Sequence, residues 1–164
     1  MNVAIRLEET KDYKEVEHLT REAFWDIYRP GCSEHLIVYK MRKTPVFVSE
    51  LSYIACDEEC IIGSIIYSRA KVVNEENKEF EVLCMGPLSV LPSFQGKGIG
   101  SLLMNYSIEK ARELGFKAIV IFGNPEYYHR FGFTNAEKYG ITTSSGENCD
   151  PFMVLSYLRE PLME

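Results

Sequence analysis

Three glycines stand close together in the stretch QGKGIGS, where Gly96, Gly98 and Gly100 lie between an apolar run and a segment with helical spacing. The first N–H groups of a helix have no partner within the helix, and the helix dipole is positive there. A phosphate or pyrophosphate fits this position, because glycines remove the side chains that would hold phosphates away from the donors. Lys97 could add a positive charge and Ser101 a hydroxyl group. A glycine-rich turn without a ligand is the alternative.

The surroundings of these residues narrow the kind of ligand. The P-loop pattern G-x-x-x-x-G-K-[ST] is missing from the sequence. A dinucleotide fingerprint is also a poor match, because the preceding strand belongs to an antiparallel meander and no residue is a clear candidate for the acidic ribose ligand. We call residues 96–101 the glycine loop, and we predict that it binds another ligand that carries a pyrophosphate.

The cysteines do not form a metal-binding pattern. They contain no CxxC pair, and none is matched to histidines at a zinc-like spacing. We predict structural thiols and no metal, while a catalytic Cys/His pair stays open without specific support. The five cysteines are Cys32, Cys56, Cys60, Cys84 and Cys149.

Composition and charge limit the class of protein. The 164 residues, 46% hydrophobic and 26% charged, predict a single domain over residues 1–164. The net charge of -6 argues against a nucleic-acid partner, which would need a basic face, and is compatible with an amine-bearing or cationic one. The start of the chain lacks the apolar core of a signal peptide, and the apolar run at 61–67 is too short to span a bilayer. We therefore predict a cytoplasmic protein without membrane contact.

The first third of the chain predicts a strand and two helices. The opening VAIRLEE alternates in the manner of a strand, and Thr10 or Asp12 can cap a helix that runs to about Tyr28. An Arg-Pro-Gly sequence breaks this helix. A second helix is predicted from Ser33, as its cap, to Lys43.

The middle of the chain predicts an antiparallel meander. The stretch that begins at Tyr53 predicts two strands joined at residues 57–59, and FEVLCMGPLSVL predicts a third strand after a polar turn. Pro87 lies inside this third strand, where it cannot donate to a ladder. We therefore expect a bulge or a local parting from the neighbouring strand.

A helix follows the glycines. Met104, Ile108, Ala111 and Leu114 repeat at helical spacing until Gly115 stops the helix.

The last third of the chain predicts two strands and a short helix. KAIVIFG suits a buried strand, and the order strand, helix, strand predicts a right-handed parallel crossover between strands at 82–91 and 117–122. A short helix at PEYYHRF and a terminal strand from 151 to 158 follow. The fold class is α+β, with a mixed and mostly antiparallel sheet and helices on its faces.

Two spaced motifs occur in this order within residues 82–133. The first is LSVLPSFQGKGIGSLLM, in which Gln95, Gly98 and Gly100 occupy the positions of a Q/R-x-x-G-x-G/A signature, with V-x-P just upstream. The second is YHRFGF, which fits Y-x-x-x-G-F and follows an Asn-Pro pair. Together they resemble the GNAT superfamily of acetyl-CoA-dependent N-acetyltransferases. The order of elements extends the resemblance to the whole chain.

The resemblance implies a GNAT-like sheet with helices on both faces and a splayed parallel strand pair that forms a CoA cleft. The N–H groups of the glycine loop would hold the CoA pyrophosphate, and the backbone at residues 88–90 would pair with the pantetheine arm. Asn124 would hydrogen-bond the arm or simply end the strand. The implied acetyl-CoA-binding residues are Leu88, Ser89, Val90, Gln95, Gly96, Lys97, Gly98, Ile99, Gly100, Ser101 and Asn124.

The implied reaction is attack of a neutral amine on the acetyl thioester, through a tetrahedral intermediate, with CoA thiolate leaving. It needs an oxyanion donor, a proton acceptor for the amine and a proton for the sulfur. A backbone N–H within residues 88–90 is the candidate oxyanion donor. Tyr128 stands at the motif position of the proton donor, and its neighbour Tyr127 is the alternative. Either ring could instead only pack on the sheet.

The acceptor side has weaker signals. Glu34 and His35 fall in a region that borders the acceptor cleft in similar proteins, and an acid beside an imidazole could steer and deprotonate an ammonium group. A glutamate at a helix start is often only favourable to the dipole. Glu22, Asp26 and Glu81 are rivals of similar rank. The polar loop at 142–150 either shapes the acceptor side or is a plain surface loop.

The resemblance therefore implies an N-acetyltransferase that acts on an amine of a small molecule or of a protein, with acetyl-CoA as cosubstrate. A non-catalytic sensor of CoA or acyl-CoA with the same fold is the alternative, and a phosphate-binding structural domain is a third. Tyr128 favours the enzyme, because a pure binder has no use for a proton donor at the sulfur. The acyl chain length stays open, as does the choice between monomer and homodimer.

Overall fold

The computed structural model describes residues 2–73, 76–136 and 152–158 of the chain. The strands in these ranges are β1 (Val3–Leu7), β2 (Tyr53–Asp57), β3 (Cys60–Val73), β4 (Glu79–Val90), β5 (Ala118–Phe122), β6 (Thr134–Asn135) and β7 (Phe152–Ser156). The α-helices are α1 (Tyr13–Phe24), α2 (Glu34–Met41), α3 (Ile99–Glu113) and α4 (Pro125–Tyr128). None of these helices has the length and hydropathy that a membrane crossing requires.

The described strands form one sheet in the order β1-β2-β3-β4-β5-β7-β6. The first three strands pair antiparallel and β4 pairs parallel with β5, so the predicted α+β class and parallel crossover are confirmed. The chain divides into two compact units. The first contains Met1–Ser68 and Gly86–Lys110, and the second contains Arg69–Met85 and Ala111–Glu164.

The first unit has helices on both faces of its strands. Successive side chains of a strand point to opposite faces, so Tyr53 and Ile54 of β2 face in opposite directions. The Tyr53 ring meets the Tyr106 ring of α3 edge-on, with centroids 4.9 Å apart. Ile54 packs with Val16 and Leu19 of α1 in a buried apolar cluster. α1 and α3 therefore cover opposite faces, as predicted.

The core of the second unit is formed mainly by side chains of β4, β5 and β7. The predicted terminal strand is confirmed as β7, which pairs antiparallel with β5 and with β6. The predicted first residue of that strand, at 151, lies outside the described residues, as does the loop at 142–150. Strand β6 was not predicted, because two residues give no alternation. Buried residues of this core are Val82, Ala118, Val120, Ala136, Phe152 and Val154.

Helix α1 is shorter than its sequence pattern predicts. It ends at Phe24 rather than near Tyr28. Asp26 adopts a positive φ of 59°, and its Oδ1 accepts a hydrogen bond of 2.6 Å from the Gly31 N–H. This side-chain-stabilised turn replaces the last predicted helical turn.

Asp12 and Ser33 hold the N-cap positions of α1 and α2 as predicted, but neither side chain makes a capping bond. Residues 10–12 form a 3-10 turn before α1, and Asp12 Oδ2 accepts from the Glu9 N–H at 2.8 Å instead of capping α1. Ser33 holds the N-cap position of α2 without a side-chain capping bond. Its Oγ accepts from Arg29 Nη2 instead.

Helix α3 ends where predicted, but Leu114, one of the apolar residues that repeat at helical spacing, is not buried. Gly115 has a φ of 89°, and the Phe116 N–H bonds to the Ala111 carbonyl at 3.2 Å, a common helix stop. Leu114 lies past the last helical turn and is 52% exposed. The buried residues of α3 are Ile99, Leu103, Met104, Ser107 and Ala111.

Asp12→Asn is expected to lower the free energy of unfolding by about 1.5–3 kcal/mol at pH 7, because it breaks a charge-assisted pair. Arg6 holds the Asp12 carboxylate through bonds of 2.8 and 3.0 Å, and this pairing lowers the pKa of Asp12. Because the pKa of Asp12 is lower in the folded than in the unfolded chain, Asp12 stabilises the fold at pH values above its unfolded pKa of about 4. This stabilisation is lost as the pH falls through the folded pKa.

Urea unfolding of both proteins at pH 7 and pH 3 checks this prediction. The difference in the free energy of unfolding between wild type and variant should be smaller at pH 3 than at pH 7. Burial raises the pKa of Glu8, with the opposite pH dependence. The Asp12 charge is the smallest of the causes of this shift, so most of the Glu8 contribution is common to both proteins and cancels in the difference. An equal difference at both pH values would contradict the prediction.

Candidate functional site

The glycine loop has the geometry of an anion site at the start of α3. Gly96 and Gly98 have φ angles of 77° and 84°, a region that favours glycine. Apart from the adjacent residues, no atom of the described part of the chain lies within 4 Å of where their Cβ atoms would be. The Leu102 N–H makes the first helical bond, to the Gly98 carbonyl at 3.1 Å. The N–H groups of residues 99–101 therefore precede the hydrogen-bonded part of the helix, beside an open backbone.

Gly100 and Lys97 differ from Gly96 and Gly98 in what their positions require. Gly100 lies inside α3, so its backbone conformation does not require glycine. Lys97 is exposed, and its Nζ lies 5.4 Å from the centroid of the Phe94 ring. Its charge is therefore held on the loop by a contact with the preceding 3-10 turn.

The end of β4 is joined to the loop by Gln95. Its Nε2 donates to the Val90 carbonyl at 3.0 Å. Ser89 is buried, and its Oγ donates to Thr20 Oγ1 of α1 at 3.3 Å. Because the Ser89 hydroxyl is already bonded to α1, we expect Ser89 to contact a ligand only through its backbone N–H and carbonyl groups.

Gly63 of β3 brings α3 close to the sheet. A Cβ at this position would stand 3.0 Å from Ile99 Cγ2 and 3.1 Å from Leu103 Cδ1. Farther along the same pair of elements, the buried hydroxyls of Tyr67 and Ser107 bond at 2.8 Å. Sequence reasoning missed Gly63, although an isolated glycine inside a strand pattern is a signal of close backbone approach.

Strand β4 is irregular where its proline predicts. The parallel pairs with β5 are Leu83 with Ile119 and Cys84 with Val120, both ahead of Pro87. Gly86 has a φ of 143°, which also favours glycine. The parting of the strands beyond this point stays a prediction.

Tyr128 belongs to a group of four rings in the second unit, Tyr127, Tyr128, Phe131 and Phe133, which we call the aromatic cluster. Tyr128 is half-buried, with ring centroids 4.9 Å from Tyr127 and 6.1 Å from Phe133. Phe133 is buried, so the later motif supplies both the tyrosine and the ring that supports it. The Tyr127 ring is covered by the Arg130 guanidinium at 4.7 Å.

Asn124 has a structural use. Its Oδ1 accepts from the Glu126 N–H at 3.0 Å, and its carbonyl accepts from the Tyr128 N–H at 3.1 Å. Asn124 thus ends β5 and caps α4, which is one of the two roles considered from the sequence. Its role toward the pantetheine arm stays a prediction.

Glu34 and His35 lie at the start of α2. Glu34 Oε2 is buried without a hydrogen-bond partner among the described residues. His35 Nδ1 lies 3.5 Å from Cys32 Sγ. Burial, and then the Glu34 carboxylate, raise the pKa of Cys32. This shift disfavours the thiolate, so the pair is a poor candidate for nucleophilic catalysis.

The rival acids have other partners. Glu22 is paired with Arg21 at 3.5 Å and Glu81 with Arg69 at 3.6 Å. Asp26 accepts the Gly31 N–H described above. No group of three potential metal ligands occurs in the part of the chain that the structure describes. Cys149 lies outside it.

Comparison with curated proteins identifies relatives from Escherichia coli. The chain is 34% identical to the uncharacterized N-acetyltransferase YjhQ over 83 residues, which cover 51% of this chain and 45% of that protein. It is 28% identical to the uncharacterized N-acetyltransferase YhbS over 138 residues, covering 84% and 77%. The match to YjhQ therefore spans less than half of that protein's length.

Two solved structures share the fold. A GNAT family acetyltransferase from Brucella melitensis, in complex with acetyl-CoA, is 27% identical, with a TM-score of 0.78 over 97% of this chain and 90% of that one. YhbS from Escherichia coli, in complex with CoA, has a TM-score of 0.82 at 24% identity, over 99% and 86%. The family model of the acetyltransferase (GNAT) family matches residues 15–133. With its glycine loop, its β4–β5 pair and its aromatic cluster, the chain belongs to the GNAT acetyltransferase family.

Proposed function

We propose that this protein is an N-acetyltransferase that moves an acetyl group from acetyl-CoA to an amine of a small molecule or of a protein. Family membership supports acetyl transfer in general, and the acetyl-CoA complex of the relative from Brucella melitensis supports the donor. The observation that carries the proposal is the open glycine loop, whose helix-start N–H groups suit the pyrophosphate of CoA.

The backbone near the loop would hold the donor. We propose that residues 88–90 pair with the pantetheine arm, that one of their N–H groups stabilises the oxyanion, and that Lys97 and Ser101 assist the pyrophosphate. The Val90 carbonyl already accepts from Gln95, but a carbonyl oxygen has a second lone pair for a ligand donor.

The chemical step is proposed as a direct attack. The amine lone pair forms the new C–N bond, and collapse of the tetrahedral intermediate breaks the C–S bond. The phenol of Tyr128 gives its proton to the leaving sulfur, and the proton lost by the nitrogen returns to the phenolate through solvent or a base. The net products are an acetylated amine and CoA thiol.

Glu34 and His35 are proposed for the acceptor. The support is the buried Glu34 Oε2, because a carboxylate oxygen without a hydrogen-bond donor among the described residues is costly to bury. The ammonium group of an acceptor would supply the missing donor, and it would lose one proton to a base or to solvent before the neutral amine attacks. A single acyltransferase domain over residues 1–164, a cytoplasmic location, and a monomer or homodimer remain predictions.

Thermal unfolding with added CoA tests the donor. Ligand at a hundred times its Kd stabilises a protein by about 2.7 kcal/mol, which for a chain of this length raises Tm by about 5–10 °C. An amine panel with acetyl-CoA, followed by thiol release, then tests the reaction. A Tm shift without turnover of any amine would favour the sensor, and no shift would favour a phosphate-binding structural domain.

Gly63→Val is expected to weaken CoA binding about tenfold, which corresponds to about 1.4 kcal/mol. The branched side chain would push Ile99 and the start of α3 away from β3, and such overpacking costs about 1–3 kcal/mol of stability. Calorimetric titration with CoA measures the effect.

Gly115→Ala is the matched control for this variant. Its φ of 89° also makes a substitution destabilising, but it lies at the opposite end of α3 from the glycine loop. CoA affinity should be unchanged in this control. Equal affinities in the Gly63→Val protein and the wild type would contradict a role of Gly63 in seating the loop.

A further inference from the structure

Gly123, the residue after β5, lies against the edge of the Tyr128 ring that carries Cδ2 and Cε2. A Cβ at Gly123 would stand 2.3 Å from Tyr128 Cε2, 2.8 Å from Cδ2 and 3.4 Å from Cζ. The first two distances are far below ordinary van der Waals contact. The ring therefore rests on a bare backbone, and even one methyl group cannot be added without moving it.

The reason for glycine at this position is space and not backbone conformation. Gly123 is absent from the glycines with positive φ, in contrast to Gly132, whose φ is 99°. An alanine at 123 would keep an allowed backbone, so its effect would come from the contact with Tyr128.

The contact falls at the end of the ring that carries the hydroxyl. Cε2 is bonded to Cζ, which holds the phenol oxygen. To restore 3.4 Å the ring edge would have to retreat by about 1 Å. Its retreat is limited by the rest of the aromatic cluster, because the Tyr127 ring lies edge-on at 4.9 Å and buried Phe133 at 6.1 Å.

The geometry points to Gly123 as a positioning residue, which sets the place of the Tyr128 hydroxyl by leaving room for its ring. The inference rests on the proposed function of Tyr128 as proton donor to the leaving sulfur. Displacement of a reacting group by about 1 Å can cost about 100-fold in rate. Gly123→Ala should therefore reduce kcat and leave the KM for acetyl-CoA nearly unchanged, because the change lies outside the glycine loop.

A kinetic cycle with four proteins tests the inference: wild type, Gly123→Ala, Tyr128→Phe and the double variant. Thiol release from acetyl-CoA is followed with the best amine of the panel. Gly123→Ala alone should lower kcat at least tenfold. In the Tyr128→Phe background it should change kcat less than about twofold, because the hydroxyl that it displaces is already gone.

A general loss of stability would give a different pattern. It would lower activity equally in both backgrounds, and Gly115→Ala, which is strained without crowding any ring, would reproduce it. An equal effect of Gly123→Ala in both backgrounds, or no effect in either, overturns the inference. If Tyr128→Phe alone leaves kcat unchanged, the proposed role of Tyr128 is overturned, and the inference falls with it.

A second measurement needs neither an acceptor nor turnover. Site-specific 3-fluorotyrosine at position 128 reports the surroundings of the ring by fluorine NMR. Gly123→Ala should move this resonance, and Gly115→Ala should leave it in place. A resonance that is unchanged in Gly123→Ala overturns the inference independently of the kinetics.

Failure of Gly123→Ala to fold would be informative as well. The double variant Gly123→Ala/Tyr128→Ala should then recover folding, because removal of the ring removes the clash. A double variant that unfolds while Tyr128→Ala folds would show that the ring is not what Gly123 accommodates.

Discussion

Replacement of Tyr128 by phenylalanine is expected to lower kcat by about 100-fold, with the affinity for CoA unchanged within about twofold. General acid catalysis contributes about 10²–10⁴-fold, and the variant removes only the hydroxyl. The ring would keep its contacts with Tyr127 and Phe133, so the fold of the aromatic cluster is preserved. Steady-state thiol release gives kcat, and calorimetric titration gives the CoA affinity.

Tyr127→Phe is the matched comparison, because the two tyrosines are adjacent and both were candidates. The Tyr127 ring is already covered by Arg130 and lies against Phe131, with centroids 5.4 Å apart. We therefore expect the larger loss in Tyr128→Phe. A loss confined to Tyr127→Phe would move the proton donor to Tyr127, and wild-type turnover in both variants would remove tyrosine from the mechanism.

Gly100→Asp is expected to reduce CoA affinity at least 100-fold, about 2.7 kcal/mol or more, and to abolish the Tm shift with CoA. The carboxylate would stand at the helix start, where the pyrophosphate is proposed to bind, and would add both bulk and like charge. Calorimetric titration and thermal unfolding with CoA measure the loss.

This variant separates binding from folding. Gly100 has no need of a positive φ, and an acid in the first turn of a helix is favourable to the dipole. The apo protein should thus be at least as stable as the wild type. Gly98→Asp should also lose binding, but its φ of 84° would add backbone strain and confuse the result.

Gly100→Ala is the matched control. Alanine has no charge, and in a helix it is more favourable than glycine by about 1 kcal/mol. We expect a more stable apo protein with a smaller loss of affinity than in Gly100→Asp. Equal CoA affinity in Gly100→Asp and wild type would exclude the glycine loop as the pyrophosphate site.

Local features were predictable from the sequence where their causes are local. The glycine loop and the stop of α3 at Gly115 follow from consecutive residues, and the structure agrees, although α3 begins at Ile99, before the last of the three glycines. The C-terminal end of α1 and the capping bond expected of Ser33 were wrong, because Asp26 and Arg29 supply side-chain bonds that compete with helical ones. Propensity does not register such competition.

The sequence by itself determined the family and the α+β class, and it predicted the loop that we propose as the pyrophosphate site. Helix-start N–H groups and positive φ angles depend on neighbours in the chain, so a short motif is enough to specify them. Only the tertiary structure decided why Gly63 and Gly123 are glycines. The atoms that exclude a side chain there belong to Ile99 and to the Tyr128 ring, and folding alone brings them against the backbone. The sequence thus indicates locally which groups are candidates for the chemistry, whereas close packing determines where those groups stand.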